Sequence, residues 1–236
     1  MVLLAVVAGL LAGFITSVAG MGGGLVLLLV LGLWLGDPLQ ALVLTSPALL
    51  IGNLHRAWAL RREAVAAVFL PVAAAAVPSS YLVATWVSDA PVELLRWALL
   101  GVALFAGVRG LGLLRWEPSR RWALPVGLAA GAIQSTAGGS GVVLAPYLMG
   151  RGLEGSAYVG TMACVAVALH LSRLAAFGAS GLVDAAVVGV GLLTAVAIVG
   201  GNQVGLQVGR HLTPMTQRRV QVGALLGAAG LAVAGV

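Results

Sequence analysis

Hydrophobic positions fill this chain in ten blocks that are apolar on every side, and polar residues gather between the blocks. None of the blocks alternates apolar with polar residues, as a strand of a membrane barrel would over about ten positions. Because a backbone in lipid has to satisfy its own hydrogen bonds, continuous apolar blocks predict helices. We therefore predict an all-α polytopic membrane protein. The blocks cover approximately 2–19, 24–36, 39–60, 64–87, 91–114, 122–137, 141–150, 153–178, 182–209 and 213–236.

The second block of each half is too short to cross a membrane. At 1.5 Å per residue, block 24–36 covers about 20 Å and block 141–150 about 15 Å, against a hydrocarbon core of about 30 Å. The first two blocks of each half are therefore predicted to form a re-entrant helical hairpin, which enters and leaves from one side. The three remaining blocks of each half predict transmembrane helices.

The two halves of the chain repeat the same order of blocks. The stretch "GLLAGFITSVAG" at 9–20 aligns without a gap with "GLAAGAIQSTAG" at 127–138, and most positions are identical. Two glycines spaced four apart open both stretches, which predicts close helix packing. We predict two repeats, 1–118 and 119–236, that form one integrated transmembrane domain. Each repeat crosses the membrane three times, an odd number, so the second repeat starts on the opposite side of the membrane. The repeats are therefore predicted to have inverted topology.

Charge placement predicts the side of the membrane on which each connection lies. The chain has 13 arginines, no lysine and 7 acidic residues, far fewer charges than a soluble domain carries. Its net charge is +6, and the arginines lie at the ends of the apolar blocks. This placement is typical of a membrane protein and does not favour a nucleic-acid partner. Eleven arginines, including Arg56 and the connection that contains Arg115, are predicted in the cytoplasm, and Arg96 and Arg173 outside. This orientation places both termini and the first hairpin outside a cell inner (plasma) membrane, and the second hairpin on the cytoplasmic side.

Two glycine-rich stretches, "SVAGMGGGL" at 17–25 and "STAGGSGVV" at 135–143, fall at the predicted hairpin turns. Such a turn exposes backbone N–H groups and the positive end of the following helix, and glycine allows a ligand to approach closely. Water is scarce at this depth, so a small anion is the natural partner of these amides. We predict an anion site between the two turns, which we call the tips. The predicted backbone ligands are Gly22, Gly23, Gly24, Gly139, Ser140 and Gly141.

Polar side chains interrupt the long blocks at equivalent places in the two halves. The motif "NLHR" at 53–56 faces "HLSR" at 170–173, and a serine pair at 79–80 faces Asn202 and Gln203. Polar groups in lipid are unfavourable without partners, so they predict either a polar centre or hydrogen bonds that only join helices. The side chains predicted to complete the anion site are Ser17, Asn53, Ser135, His170, Asn202 and Gln203.

His170 and Arg173 are the residues predicted to couple or gate transport. His170 can titrate near neutral pH, whereas no carboxylate lies deep in any block. Arg173 lies near the external end of its block, where its side chain either extends outward to the interface or supplies a positive charge at the site. The single cysteine, Cys164, excludes an internal disulfide and a cysteine-rich metal site, so no metal or other cofactor is predicted.

The paired turns "AGMGGG" and "AGGSG", one opening each half of a lysine-free chain, resemble the sulfite exporter TauE/SafE family, also called TSUP. The resemblance implies a membrane transporter, not an enzyme, that moves sulfur oxyanions such as sulfite or small organosulfonates, usually outward. The inverted repeats predict alternating access around a midplane site. The expected partners are a small anionic substrate and the lipid bilayer, and the sequence leaves open whether the chain forms a homodimer.

Two other functions also fit the sequence, one of them only in part. An anion channel shares every feature described above. The stretch Gly138-Gly139-Ser140-Gly141 also fits the G-x-S-G pattern of intramembrane serine proteases, with Ser140 as nucleophile and His170 as its base. The protease hypothesis leaves the first glycine turn unexplained, because no serine follows its glycines.

Overall fold

A computed structural model describes residues 2–111, 113 and 118–234, and helices make up most of this part of the chain. Ten α-helices coincide with the ten apolar blocks of the sequence, which confirms the predicted all-helical class. The predictions for Arg115 and for the two terminal residues fall outside the described residues. The helices are α1 (Val2–Ala19), α2 (Gly23–Leu35), α3 (Pro38–Ala59), α4 (Ala66–Val87), α5 (Val92–Gly110), α6 (Ala123–Ala137), α7 (Gly141–Gly150), α8 (Gly155–Ala179), α9 (Ala185–Gly209) and α10 (Pro214–Ala234), with a 3₁₀ turn at Arg120–Trp122.

Local chemistry explains where several helices begin and end. Helix α2 ends at a glycine, Gly36, whose φ of 68° is the left-handed conformation that terminates many helices. Asp37 follows directly and caps α3, since its Oδ1 accepts a hydrogen bond from the Leu39 amide at 2.8 Å. Asp184 caps α9 in the same way, with the Val187 amide at 2.7 Å. The two aspartates therefore mark where α3 and α9 begin.

Glycines bring the first helix of each half into close contact with the fourth helix of the other half. Helix α1 packs along α9, and α6 packs along α4. A Cβ on Gly13 of α1 would lie 3.0 Å from the Asn202 backbone nitrogen of α9, and closer still to the Ile198 carbonyl oxygen. A Cβ on Gly131 of α6 would lie 2.8 Å from the Ser80 backbone nitrogen of α4. Neither backbone could approach so closely with a larger residue, so the close packing predicted from the glycine spacing is confirmed.

Equivalent helices in the two halves have equivalent neighbours. Helices α3 and α8, the third of each half, pack on each other, and so do the fifth helices α5 and α10. Helix α3 also packs on α9, while α8 packs on α4. The hairpin pairs α1–α2 and α6–α7 complete the arrangement. Helices of the first half therefore pack directly on helices of the second half.

Three of the described helices are long and apolar enough to cross a membrane: Ala66–Val87, Gly155–Ala179 and Ala185–Gly209. Helices α3, α5 and α10, with 22, 19 and 21 residues, are also long enough for a core of about 30 Å. They carry charged residues such as Arg56 and Arg96, which reduce their apolar character. The structure thus supports a membrane protein, and the six full spans stay a prediction.

Three connections between helices meet at one face of the protein. Leu60 after α3, Leu153 before α8 and Arg210 after α9 line a single vestibule of about 810 Å³. We call this side the arginine-rich face, because Arg61, Arg62 and Arg210 lie in these connections. The sequence prediction placed these connections together on the cytoplasmic side.

Candidate functional site

The two glycine tips contact each other in the interior of the protein. The backbone takes positive φ at Gly20 and Gly22 in the first tip, 77° and 98°, and at Gly138 in the second, 65°. Side chains rarely tolerate this conformation, so glycine is required at these turns. Met21 of the first tip packs on the second, since a Cβ on Gly141 would lie 2.9 Å from the Met21 Cβ.

A cavity of about 70 Å³ lies between the tips. An ordered water needs at least about 10–15 Å³ of such space, so the cavity has room for an anion of four or five heavy atoms. The helices that follow the tips, α2 and α7, begin at this cavity without a side-chain cap. Their first turns therefore offer uncapped amides and a positive helix end. Eight of the predicted site residues line the cavity: Gly22, Gly24, Asn53, Gly139, Ser140, Gly141, His170 and Asn202.

Arg56 also lines the cavity, although the charge rule predicts it among the cytoplasmic arginines. Its side chain is only 2% exposed. Its Nη1 donates a hydrogen bond to the Thr16 carbonyl at 2.8 Å, and its Nη2 donates to Asn53 Oδ1. The charge rule considers only how close an arginine lies to a helix end. The Arg56 side chain instead turns inward to the carbonyl end of α1, so it is not a solvated charge at the helix end, and the side of the membrane on which α3 ends stays a prediction.

Arg173 lies in the equivalent place in the second half. Its Nη1 donates to the Gln134 carbonyl at 2.8 Å, its Nε donates to Ser46 Oγ at 3.0 Å, and its Nη2 is 3.4 Å from His170 Nδ1. The side chain is fully buried, so the alternative in which Arg173 extends outward to the interface is wrong.

Arg56 and Arg173 make matching hydrogen bonds, one in each half of the chain. Thr16 and Gln134 occupy matching positions in the aligned stretches before the tips, and Arg56 and Arg173 match in "NLHR" and "HLSR". In each half, one arginine binds a carbonyl in the last turn of the first hairpin helix, where the helix dipole is negative. Arg56 was not among the predicted site residues, although its alignment with Arg173 is a signal for it in the sequence.

The charge of the two buried guanidinium groups is not neutralised by the protein. Among the described residues, their hydrogen-bond partners are backbone carbonyls and neutral side chains, and neither forms an ion pair. The described acidic residues lie in connections or in the first turn of a helix. A buried cation is unfavourable without a counter-charge. Together with the two helix N-termini, the arginines give the cavity a positive potential suited to a small anion.

Ser17 and Ser135, which the sequence predicted as anion ligands, lie behind the cavity wall. Ser17 Oγ donates to Asn202 Oδ1 at 2.8 Å. Ser135 Oγ lies 2.9 Å from Ser80 Oγ in the matching place of the other half. All four residues are buried. The two serines therefore fasten the first hairpin helix of each half to the fourth helix of the other half, and they support the site from behind.

Gly23 and Gln203 are also outside the cavity. Gly23 has a helical backbone, and a Cβ there would lie 2.8 Å from the Ala12 carbonyl carbon and closer still to its oxygen. It therefore allows α2 to pack on α1. Gln203 is exposed on α9, whereas its neighbour Asn202 is buried. Adjacent helical positions point about 100° apart, so only one member of this pair faces inward.

Ser140, Gln134 and His170 form a hydrogen-bonded row along the cavity wall. Ser140 Oγ donates to Gln134 Oε1 at 2.6 Å, and Gln134 Nε2 lies 3.3 Å and 3.4 Å from the two ring nitrogens of His170. No hydrogen bond joins Ser140 directly to His170 in the part of the chain that the structure describes. A serine nucleophile needs a base within hydrogen-bond reach, so this geometry does not favour the protease hypothesis.

Comparison with known proteins identifies the family of this chain. No curated protein and no solved structure matches it. The model of the sulfite exporter TauE/SafE family matches residues 5–233, a range that includes both tips and both buried arginines. The chain therefore belongs to the sulfite exporter TauE/SafE family, a family of membrane transporters for sulfite and related anions.

Proposed function

We propose that this protein carries small sulfur oxyanions, sulfite or short organosulfonates, outward across the inner membrane through the cavity between the tips. The observation that carries the proposal is the pair of buried guanidinium groups without carboxylate partners, beside two uncapped helix N-termini. Both features attract anions and repel cations. The family assignment supports the transport of sulfite-like anions, and the chemistry of this cavity supports the position of the site.

The donors around the cavity suit an oxyanion. Arg56 presents a planar fork of N–H groups, which can bind two oxygens of one sulfur centre. Backbone amides at the starts of α2 and α7 can bind the remaining oxygens. Apart from Arg56, the donors are neutral amides, hydroxyls and a histidine. Such a shell holds an anion without the tight binding that would prevent its release.

The mechanism that we propose is alternating access between two inverted repeats. The matched packing of α1 on α9 and of α6 on α4 supports the repeats, as do the matched hydrogen bonds of Arg56 and Arg173. Rocking of one repeat against the other would open the cavity first to one side and then to the other. In this proposal the hairpins enter from opposite faces and their tips meet near the bilayer centre.

A flux assay in proteoliposomes tests the proposed function. Sulfite, sulfate and a short organosulfonate are compared, with and without a pH gradient. A carrier should show saturable uptake that an anion on the opposite side stimulates. Unsaturated flux without such counterflow would indicate the anion channel instead. Uptake of none of these anions by well-folded protein would contradict the proposal.

Arg56→Gln tests the site itself, with Arg62→Gln as the matched control. Both changes remove one positive charge, but Arg62 is exposed on the arginine-rich face. We expect Arg56→Gln to reduce the flux at least tenfold, since a hydrogen bond to a charged group contributes about 1.5–3 kcal/mol. Arg62→Gln should transport normally. Arg56→Lys, which keeps the charge, separates loss of charge from loss of folding. Normal flux in folded Arg56→Gln would place the site elsewhere.

A further inference from the structure

The large vestibule on the arginine-rich face reaches the first glycine tip. Its lining includes Ser17 and Ala19 at the end of α1, together with Glu154 and Arg210 from two connections. The central cavity is a separate space with a lining of its own. The two spaces share no lining residue, so an anion that moves between the cavity and this face would pass the residues that lie between the two linings.

Tyr158 of α8 lies at this boundary. Its side chain lines the vestibule, and its ring packs on Gly20, which lines the cavity. A Cβ on Gly20 would lie 2.9 Å from Tyr158 Cδ1 and closer still to Cε1. The absence of a side chain at Gly20 therefore makes room for the ring, which lies against the tip.

The Tyr158 hydroxyl is buried without a hydrogen-bond partner among the described residues. The residue is only 5% exposed. Arg109 of α5 has a buried Nε that lacks a partner in the same way, while its Nη1 donates to the Val142 carbonyl at the cavity. Val142 follows Gly141, which contacts Met21 of the first tip. Tyr158 packs on Gly20, the residue before Met21, so Tyr158 and Arg109 both contact residues at the junction of the two tips. Buried polar groups in proteins almost always have partners, so two donors without partners beside the junction of the tips point to a ligand there.

We propose that Tyr158 closes the passage between vestibule and cavity, and that its hydroxyl and Arg109 Nε form a second, transient station for the anion there. This inference rests on the proposed function and names a step in it. Arginine N–H groups only donate hydrogen bonds, and the phenol can donate its own, so an acceptor-rich oxyanion fits both groups and a cation does not. For the anion to pass, the ring has to leave Gly20.

The ring and the hydroxyl have different roles, and two substitutions separate them. Tyr158→Phe keeps the ring and removes the donor, so we expect the apparent KM for sulfite to rise about tenfold. Tyr158→Ala removes the ring and should open the passage. Tyr81→Phe is the matched control, since this tyrosine lies partly exposed on α4, away from both spaces.

Thiol labelling measures whether the passage is open. Ala166 lines the cavity. The labelling rate of Ala166→Cys, in a Cys164→Ser background, therefore measures how accessible the cavity is to a reagent in water. A small, negatively charged thiol reagent should label this cysteine slowly behind Tyr158 and at least tenfold faster after Tyr158→Ala. The Phe variant should label as slowly as the protein with the native tyrosine. Each variant is checked for folding by its thermal unfolding.

Two results would overturn the inference: equal labelling rates with Tyr158 and with alanine, or an unchanged KM for sulfite in Tyr158→Phe. If Arg56→Gln reduces the flux at least tenfold in that case, only the gate and its station are rejected. If Arg56→Gln transports normally, the central site is rejected instead. The two proposals can therefore fail separately.

Discussion

The contact between Gly23 and α1 allows a sharp test of how the first hairpin is built. The change is Gly23→Ala, compared with Gly24→Ala at the next position of the same helix. A Cβ on Gly23 would lie 2.8 Å from the Ala12 carbonyl carbon, a backbone atom that cannot rotate away. A Cβ on Gly24 would lie 3.6 Å from the Leu49 methyl carbons, which is ordinary van der Waals contact.

The size of the effect follows from these contacts. Gly23→Ala has to push α1 and α2 apart by about 1 Å, and overpacking of this kind costs about 1–3 kcal/mol. For a chain of this length, each kcal/mol lowers Tm by about 2–4 °C. Gly24→Ala should leave Tm unchanged or raise it slightly, because alanine favours the helix by up to about 1 kcal/mol. Gly24 lines the cavity, however, so its methyl group should reduce sulfite flux.

Thermal unfolding of the purified protein in detergent, followed by tryptophan fluorescence, measures the first effect, and proteoliposome flux measures the second. We expect a lower Tm for Gly23→Ala, and an unchanged Tm with lower flux for Gly24→Ala. Equal Tm values for the two variants would refute the reasoning from backbone contact. Normal flux in Gly24→Ala would show that the first tip does not contact the anion.

The remaining predictions concern the cavity wall and the polar residues behind it. Arg173→Gln should reduce sulfite flux at least tenfold in folded protein, because it removes one of two uncompensated charges; unchanged flux would show that one arginine suffices. Ser140→Ala should keep most of the transport activity, whereas an intramembrane protease would lose all of its cleavage activity in a proteolysis assay. Asn202→Ala should lower the free energy of unfolding by about 1–3 kcal/mol, since it leaves the Ser17 hydroxyl without its partner, while Gln203→Ala should change neither stability nor flux. Thermal unfolding of these last two variants side by side provides the comparison, and equal losses would contradict it.

Much of the fold could be predicted because it depends on properties local to the chain. Apolar blocks become helices wherever the backbone has to satisfy its own hydrogen bonds. Glycine at positions 20, 22 and 138 indicated the turns, since glycine has no Cβ and adopts positive φ at no steric cost. The alignment of the two halves also pairs Arg56 with Arg173, whose hydrogen bonds match in the structure.

The direction of each polar side chain was decided only by the tertiary structure. Asn202 and Gln203 are adjacent and equally polar, yet only Asn202 faces Ser17, because α1 packs on that side of α9. Arg56 lies one turn from the end of α3, where the sequence suggests solvent, and the carbonyl end of α1 draws it into the cavity. Tyr158 gave no sequence signal, since its role depends on a glycine 138 positions away. Helix formation depends on neighbours along the chain, whereas burial and hydrogen bonding depend on which helices meet.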